Sequence, residues 1–535
     1  MKFSNIRDKF EFLPDILFIL TLLLQIACVL IPDYFVTHDG TAHLFNAQVI
    51  LDLLTSSDSF YSHYFTFNEQ LIQPNLISHV LLTIFLFFLQ YAWAEKLLIV
   101  VYIILFSVGF RFYLKQTVTH YSWYSLLIFP FVLNAILFWG FYNFLLGLGT
   151  MLVFLGLLEK YKTELTVKRI IILFFLTVVL FFSHALVLLF TGLAVGLRIV
   201  IQLLQEKKWS ASFLIYLAKI VLVFLPATIL LLLYLVHQSD TGTHHEPGYS
   251  IAQRFSQLLL TIDSIKYLGY AEPRYVTILY LILMLIACVN CYWAIQKKQW
   301  DFFSYSFIIL IVYFLIYLLI PDSSSGGGII VLRINLVLFI YMILWIANGQ
   351  INIFIKSCIV VYVVVSGLLL VLRWDFIDAN AQNASYYVKT VSAHIPDKTI
   401  FSPVRKHSPD MLYSHYVPHT YLNIYTGIDH YIALEKHSIS INNYEVELNP
   451  SSSYFPLVWK AGYKPELRFD KLSNQSQMLH YIGIDRFNVS NPQKRIDYII
   501  SFGISDRQEL EKYVPQQYSL YYRDSLKLID VYKVR

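Results

Sequence analysis

Apolar residues fall into long blocks along most of this chain, and the blocks have the length of bilayer crossings. A helix needs about 20 mainly apolar residues to traverse the hydrocarbon core. Residues 14–31, 92–112, 122–138, 141–158, 168–184, 185–204, 211–236, 275–295, 302–320, 329–348 and 352–372 meet that requirement and predict eleven spans. The apolar run from Val80 to Leu89 is shorter and follows Gln73-Pro74-Asn75 and Ser78-His79, which predicts a helix lying at the interface. Ile251, Phe255, Leu258, Leu259 and Ile262 recur at helical spacing opposite Gln253, Arg254, Gln257 and Asp263, the pattern of an amphipathic helix on the membrane surface.

After Leu372 no block is long enough to span, and polar and aromatic residues alternate with short apolar runs. Residues 379–394 read as a helix. Residues 399–401, 497–502, 518–522 and 526–532 read as strands, with a turn at Arg523-Asp524-Ser525 between the last two. The expected fold is a polytopic α-helical membrane bundle over residues 1–372, with a first outer loop at 32–91 and another at 237–274. A C-terminal extracytoplasmic α/β domain is expected over 373–535.

Composition agrees with this division. Of 535 residues, 57% are hydrophobic and 14% charged, and the mean hydropathy of +0.57 excludes an ordinary soluble globule. The net charge of +5 is dispersed through short loops, so it bears on orientation and points to no nucleic-acid partner. Cys28, Cys288, Cys291 and Cys358 all lie in apolar blocks, which indicates no disulfide framework. The Cys288-x-x-Cys291 pair lacks the accessible polar setting that redox or metal chemistry requires. Lys2, Arg7 and Lys9 precede the first block with no small-residue cleavage site after it, as in a first span.

Basic residues orient the spans. With Val80 to Leu89 not crossing, Lys2, Arg7, Lys9, Arg111, Lys115, Lys160, Lys162, Lys168, Arg169, Lys207, Lys208, Lys297, Lys298 and Lys356 share one side. Only Arg254, Lys266 and Arg274 occupy the long loop opposite. The positive-inside rule then places the N-terminus in the cytoplasm and the C-terminal part outside.

The outward face holds the chemistry. No lysine or arginine occurs from Phe10 to Glu95, and within that stretch lies Thr37-His38-Asp39-Gly40-Thr41-Ala42-His43. Asp39 precedes the helical pattern of Leu44, Ala47, Val49, Ile50, Leu51 and Leu54, so its carboxylate either caps that helix or serves at a substrate site. His43, one turn along, could join Asp39 in holding a divalent metal ion. Asn143 and His184 sit at outer turns, where they line a cavity or make hydrogen bonds between helices. Trp139, Phe141 and Tyr142 read as interfacial aromatics. His237, Asp240, His244, His245 and Glu246 read as a solvated loop. The chain has no glycine-rich nucleotide loop, zinc-protease helix motif or nucleophile elbow, which argues against a nucleotide-sugar donor.

An acid near the start of a large first outer loop, a second acid (Glu69), and Gln73-Pro74-Asn75-Leu76 before a short apolar helix at 80–89 resemble the GT-C membrane glycosyltransferases. The layout is most similar to the aminoarabinose transferase and protein O-mannosyltransferase group. The run Arg495-Ile-Asp-Tyr-Ile-Ile and the segment from Tyr518 to Tyr532 look like the end of such ectodomains. His38-Asp39-Gly40 stands where an acid pair or acidic-aromatic start is usual, and Pro74 where two prolines are.

The resemblance implies transfer of a sugar from a polyprenyl-phosphate carrier to a lipid, glycan or protein acceptor on the outer face of a membrane, the expected one being a bacterial inner membrane. Asp39 would be the catalytic base. Arg333, Glu69, His38, His43, Asn143 and His184 would contact substrate. Arg333, about one turn into a span after Ser323 to Gly328, either meets the carrier phosphate or snorkels outward or pairs with Asp322. The rival expectation is a transporter or flippase of a lipid-linked saccharide, which should carry midplane charges and inverted repeats.

Overall fold

The computed structural model describes residues 12–68, 72–162, 164–206, 210–237, 250–268, 272–303, 305–322, 328–406, 424–447, 456–460, 479–480, 496–504, 506–511, 514 and 516–535. They form two compact units. The first comprises residues up to Cys28, Ile99–Leu137 and Phe141–Trp374; the second comprises Val29–Leu98, Phe138–Gly140 and Asp375–Arg535.

Nine helices among the described residues are long and apolar enough to cross a membrane: Leu13–Leu30, Tyr91–Thr117, Tyr121–Phe138, Tyr142–Lys160, Ala185–Leu204, Ala211–Val236, Glu272–Gln296, Trp300–Leu319 and Ile353–Ser392. The chain is therefore a polytopic helical protein. The two other expected spans form helices of 17 residues each, Val167–Ser183 and Ile330–Ile346. His184 ends the first, and the Asn348-Gly349 turn follows the second.

Tyr121–Phe138 is not one regular helix. It runs as Tyr121–Tyr124, a 3₁₀ segment Ser125–Phe131 containing Pro130, and Ala135–Phe138. Proline removes a backbone donor and breaks the α ladder. Asn134 repairs the break by donating to Phe131 O (2.7 Å) and accepting from Leu137 N (2.9 Å).

Inside the first unit lies a buried ion pair. Arg373 is 1% exposed and Glu272 fully buried. The Arg373 guanidinium donates to Glu272 Oε1 (3.0 and 3.1 Å), to Pro130 O (3.1 Å) and to Ile265 O. Glu272 Oε2 accepts the backbone N–H of Tyr267 (2.7 Å) and of Leu268. Every strong donor and acceptor has a partner, the condition under which a buried pair is tolerated.

Ile251–Leu260 is helical, opened by a capping box between Ser250 and Gln253. Its seating reverses the side expected for one residue. Arg254 is the buried position, donating to the carbonyls of Tyr317 (3.1 Å), Leu318 (3.5 Å) and Ile320 at the end of Tyr305–Leu319. The last carbonyls of a helix lack intrahelical donors and carry partial negative charge, so they draw the guanidinium inward. Ile251, Phe255, Leu259 and Leu260 remain exposed, an apolar face suited to lipid.

The second unit is α/β. Strand β1 (Phe65–Phe67) pairs antiparallel with β4 (Leu457–Trp459) and sets Phe65 opposite Trp459. A mixed sheet is built on β2 (Ile400–Lys406), parallel to β3 (Ile439–Ser440) and to β6 (Tyr498–Phe502), with β5 (Leu479–His480) antiparallel to it. Strand β8 (Ile529–Val534) runs antiparallel between β6 and β7 (Tyr518–Arg523). All five residues of β6 are buried, as in a central strand. In the β7–β8 turn the Asp524 carboxylate accepts the N–H groups of Leu526 (3.0 Å), Leu528 (2.8 Å) and Ile529 (2.7 Å).

The last apolar block and the helix expected at 379–394 are one continuous helix, Ile353–Ser392. Polarity changes at Arg373, but no glycine or proline occurs from Leu368 until Pro396, so the helix has no reason to stop.

Breaking the Arg373–Glu272 pair should unfold the first unit more readily. Arg373→Ala strands a buried carboxylate and is expected to cost about 3–5 kcal/mol. The double substitution Arg373→Met with Glu272→Gln should cost less than Arg373→Ala, as read by thermal unfolding in detergent.

Candidate functional site

The segment Thr37 to His43 belongs to the second unit, and its main chain is held on both sides. His38 N donates to Phe138 O (2.8 Å) and Asp39 N to Trp139 O (3.2 Å). Gly140 closes the turn with φ +85°, and a Cβ there would lie 2.6 Å from Gly40 N and 2.8 Å from Asp39 N. Only glycine fits a left-handed backbone in so close an approach.

Asp39 occupies the N-cap position of the helix Gly40–Thr55, but its side chain makes no capping bond. Thr37 Oγ1 accepts the Gly40 N–H instead, at 3.1 Å. Of the two roles open to Asp39, capping is not realised: a hydroxyl two residues upstream accepts from the first helical N–H. The Asp39 carboxylate, 13% exposed, lies 3.7 Å from His38 Nε2, and the His38 ring sits 4.8 Å from that of Trp139.

One turn along, His43 meets two residues that pattern analysis did not single out as a site. Its Nδ1 is 2.7 Å from Glu445 Oε1 and 3.2 Å from His79 Nε2. His79 Nε2 is 3.5 Å from Glu445 Oε2. His43 comes from Gly40–Thr55, His79 from the short helix Ile77–Leu86 and Glu445 from the turn Tyr444–Glu447. Asn46 donates to Glu445 Oε2 (2.6 Å) and exchanges amide hydrogen bonds with Asn443. Asp39 acts on His43 through its charge, while His43, His79 and Glu445 are the donors that converge.

The electrostatics follow from burial and pairing. Desolvation works against a charged Glu445, but His43 and His79 overcome it and hold the carboxyl well below the usual range. Burial likewise opposes a charge on His43, and Glu445 outweighs it, so the His43 pKa is raised. Burial dominates at His79 and lowers its pKa. The charge on Glu445 is thus favoured, and of the two imidazoles His43 takes a proton more readily than His79.

The other expected site residues lie in the first unit. Arg333 Nη1 is 3.1 Å from His184 Nε2, and its guanidinium stacks over Phe141 (4.2 Å) and Phe144 (5.7 Å). Arg333 is 8% exposed. Phe141 is thus a cation–π partner in addition to any interfacial role. Asn143 is buried in the first turn of Tyr142–Lys160. The structure brings Arg333 and His184 together in one unit and Asp39, His38 and His43 together in the other. Glu69 lies outside the described residues, as do Asp240, His244, His245 and Glu246.

No family model, curated protein or solved structure matches this chain.

The Glu445 pair has a defined pH window. Glu445, with a lowered pKa, stabilises the fold above its ordinary value of 4.5, and this is lost as pH falls. His43, with a raised pKa, stabilises it below its ordinary value of 6.5, and this is lost as pH rises through the folded value. In chelator, the gap in unfolding midpoint between wild type and Glu445→Gln should be widest near pH 5–6.5, on the order of 3 kcal/mol. It should narrow by pH 9, and a gap independent of pH would contradict the pairing.

Proposed function

We propose that the protein is a multi-pass membrane glycosyltransferase of the GT-C type. It moves a sugar from a polyprenyl-phosphate carrier to a lipid, glycan or protein acceptor on the extracytoplasmic face of a membrane. The observation that carries this reading is Asp39: a carboxylate set at a helix N-terminus, in a segment fixed by Gly140, that does not cap its helix. A carboxylate so placed suits general-base work, which contributes roughly 10²- to 10⁴-fold to a rate.

In the proposed reaction Asp39 accepts the proton of the acceptor hydroxyl. The hydroxyl oxygen bonds to the anomeric carbon as the bond from that carbon to the carrier phosphate breaks, and configuration inverts. The departing phosphate needs a preorganised cation. Arg333, the cation expected to meet the carrier phosphate, is a guanidinium 8% exposed that stacks on Phe141 and lies 3.1 Å from His184 Nε2.

The test of the base is Asp39→Asn. Because Thr37 supplies the cap, the variant should fold and melt like wild type, while turnover of a short-chain polyprenyl-phosphate sugar falls by at least about 10²-fold. Wild-type turnover in the folded variant would remove Asp39 from the mechanism.

The reading also sets an orientation, with the N-terminus cytoplasmic and the sheet-bearing residues outside. Single cysteines at Ser57 and Ser256 should react with an impermeant thiol reagent applied to intact cells. Cysteines at Lys162 and Lys298 should react only after permeabilisation. Labelling of Ser57 and Lys298 positions from the same side would reject this topology.

A further inference from the structure

We infer that His43, His79 and Glu445 form a binding site for a divalent cation of the zinc class. This inference is independent of the proposed transferase activity.

Geometry comes first. A tetrahedral zinc centre has metal–ligand distances of about 2.0–2.1 Å, so its ligand atoms stand about 3.3 Å apart. Nδ1 of His43 stands 2.7 Å from one Glu445 oxygen and 3.2 Å from Nε2 of His79, which lies 3.5 Å from the other oxygen; with one ligand atom per residue the three lie within 4.8 Å of one another, so a cation can be seated with side-chain shifts on the order of an ångström. Two imidazoles and a carboxylate are a zinc donor set and a poor one for magnesium or calcium, which prefer oxygen. Three protein ligands leave a fourth position for water.

The surroundings are those of a ligand shell. Asn46 holds Glu445 Oε2 at 2.6 Å and is itself locked by Asn443. Each ring also has a main-chain hydrogen-bond partner, Gly140 for His43 and Asn75 for His79. Such partners orient metal-binding imidazoles and raise their basicity. Asn75 holds φ +63°, a left-handed conformation that asparagine tolerates better than most residues. The side chains are shielded: His43 and Glu445 are 10% exposed and His79 1%.

A cation would bridge His43, His79 and the Glu445 carboxylate. It would also tie Gly40–Thr55, Ile77–Leu86 and the Tyr444–Glu447 turn together one helical turn from Asp39.

The test uses the full-length protein in detergent, stripped with EDTA and reloaded with Zn²⁺. Elemental analysis should find one zinc per chain in wild type and in His63→Ala, an exposed histidine. His79→Ala and Glu445→Gln should lose it, and Asn46→Ala should weaken binding about 10- to 100-fold. Zinc should raise the unfolding temperature of wild type and of His63→Ala, and not that of His79→Ala or Glu445→Gln. Should the ligand variants fail to fold, Co²⁺ added to stripped wild type decides. A four-coordinate visible spectrum that saturates at one Co²⁺ per chain supports the site. No such spectrum, or equal zinc in a folded His79→Ala variant, overturns it and leaves a proton-bridged ion pair. No readout depends on sugar transfer, so failure of either proposal leaves the other standing.

Discussion

A carboxylate removed from water must be met by opposite charge and by hydrogen bonds, and each unit of this protein is arranged around one such group. In the first unit Glu272 draws Arg373 and the Tyr267–Leu268 backbone to itself, and the same guanidinium reaches Pro130 and Ile265. In the second, Glu445 draws His43, His79 and Asn46 from two helices. Apolar packing could be satisfied by many arrangements of these helices. Charge neutralisation admits few, because a misplaced partner leaves an ion in a medium that cannot solvate it.

The same demand acts on dipoles. Arg254 satisfies the final carbonyls of Tyr305–Leu319, and Asp524 collects three backbone donors at the β7–β8 turn. In both cases a charged side chain serves groups that regular secondary structure leaves without partners. Asp39 is the exception of interest, since Thr37 has taken over the service its position would normally demand.

How far the chain could be read in advance varied with the range of the interaction. Membrane-type helices were legible because a helix closes its own hydrogen bonds and needs only a long apolar block, which is why the nine helices coincide with expected blocks. Length was less secure where a polar residue trims a block, as His184 does to Val167–Ser183. Periodicity found the helix Ile251–Leu260 but turned Arg254 the wrong way, since amphipathic patterns do not register what a neighbouring helix end offers. Asp39 and His43 were visible as an ionisable pair beside a membrane segment. Glu445 was not, because the residue that binds it most closely through an amide, Asn46, is 399 positions away in the chain. The polar run Asn442-Asn443-Tyr444-Glu445 carried no spacing that would single it out. His79 looked like the polar edge of an apolar run.

The locked Asn46 amide has a consequence for the chemical ageing of the molecule. Its nitrogen is the atom that faces Glu445 Oε2, while its oxygen accepts from Asn443 Nδ2 at 2.6 Å. Hydrolytic deamidation would exchange that nitrogen for oxygen and put a second acid against the first. Two carboxylates at such a distance cannot both ionise, so they would share a proton and titrate as a pair. A one-dalton change would thus convert a neutralised centre into an acidic one, and the buried, helical setting that locks the amide is also what guards it against that change.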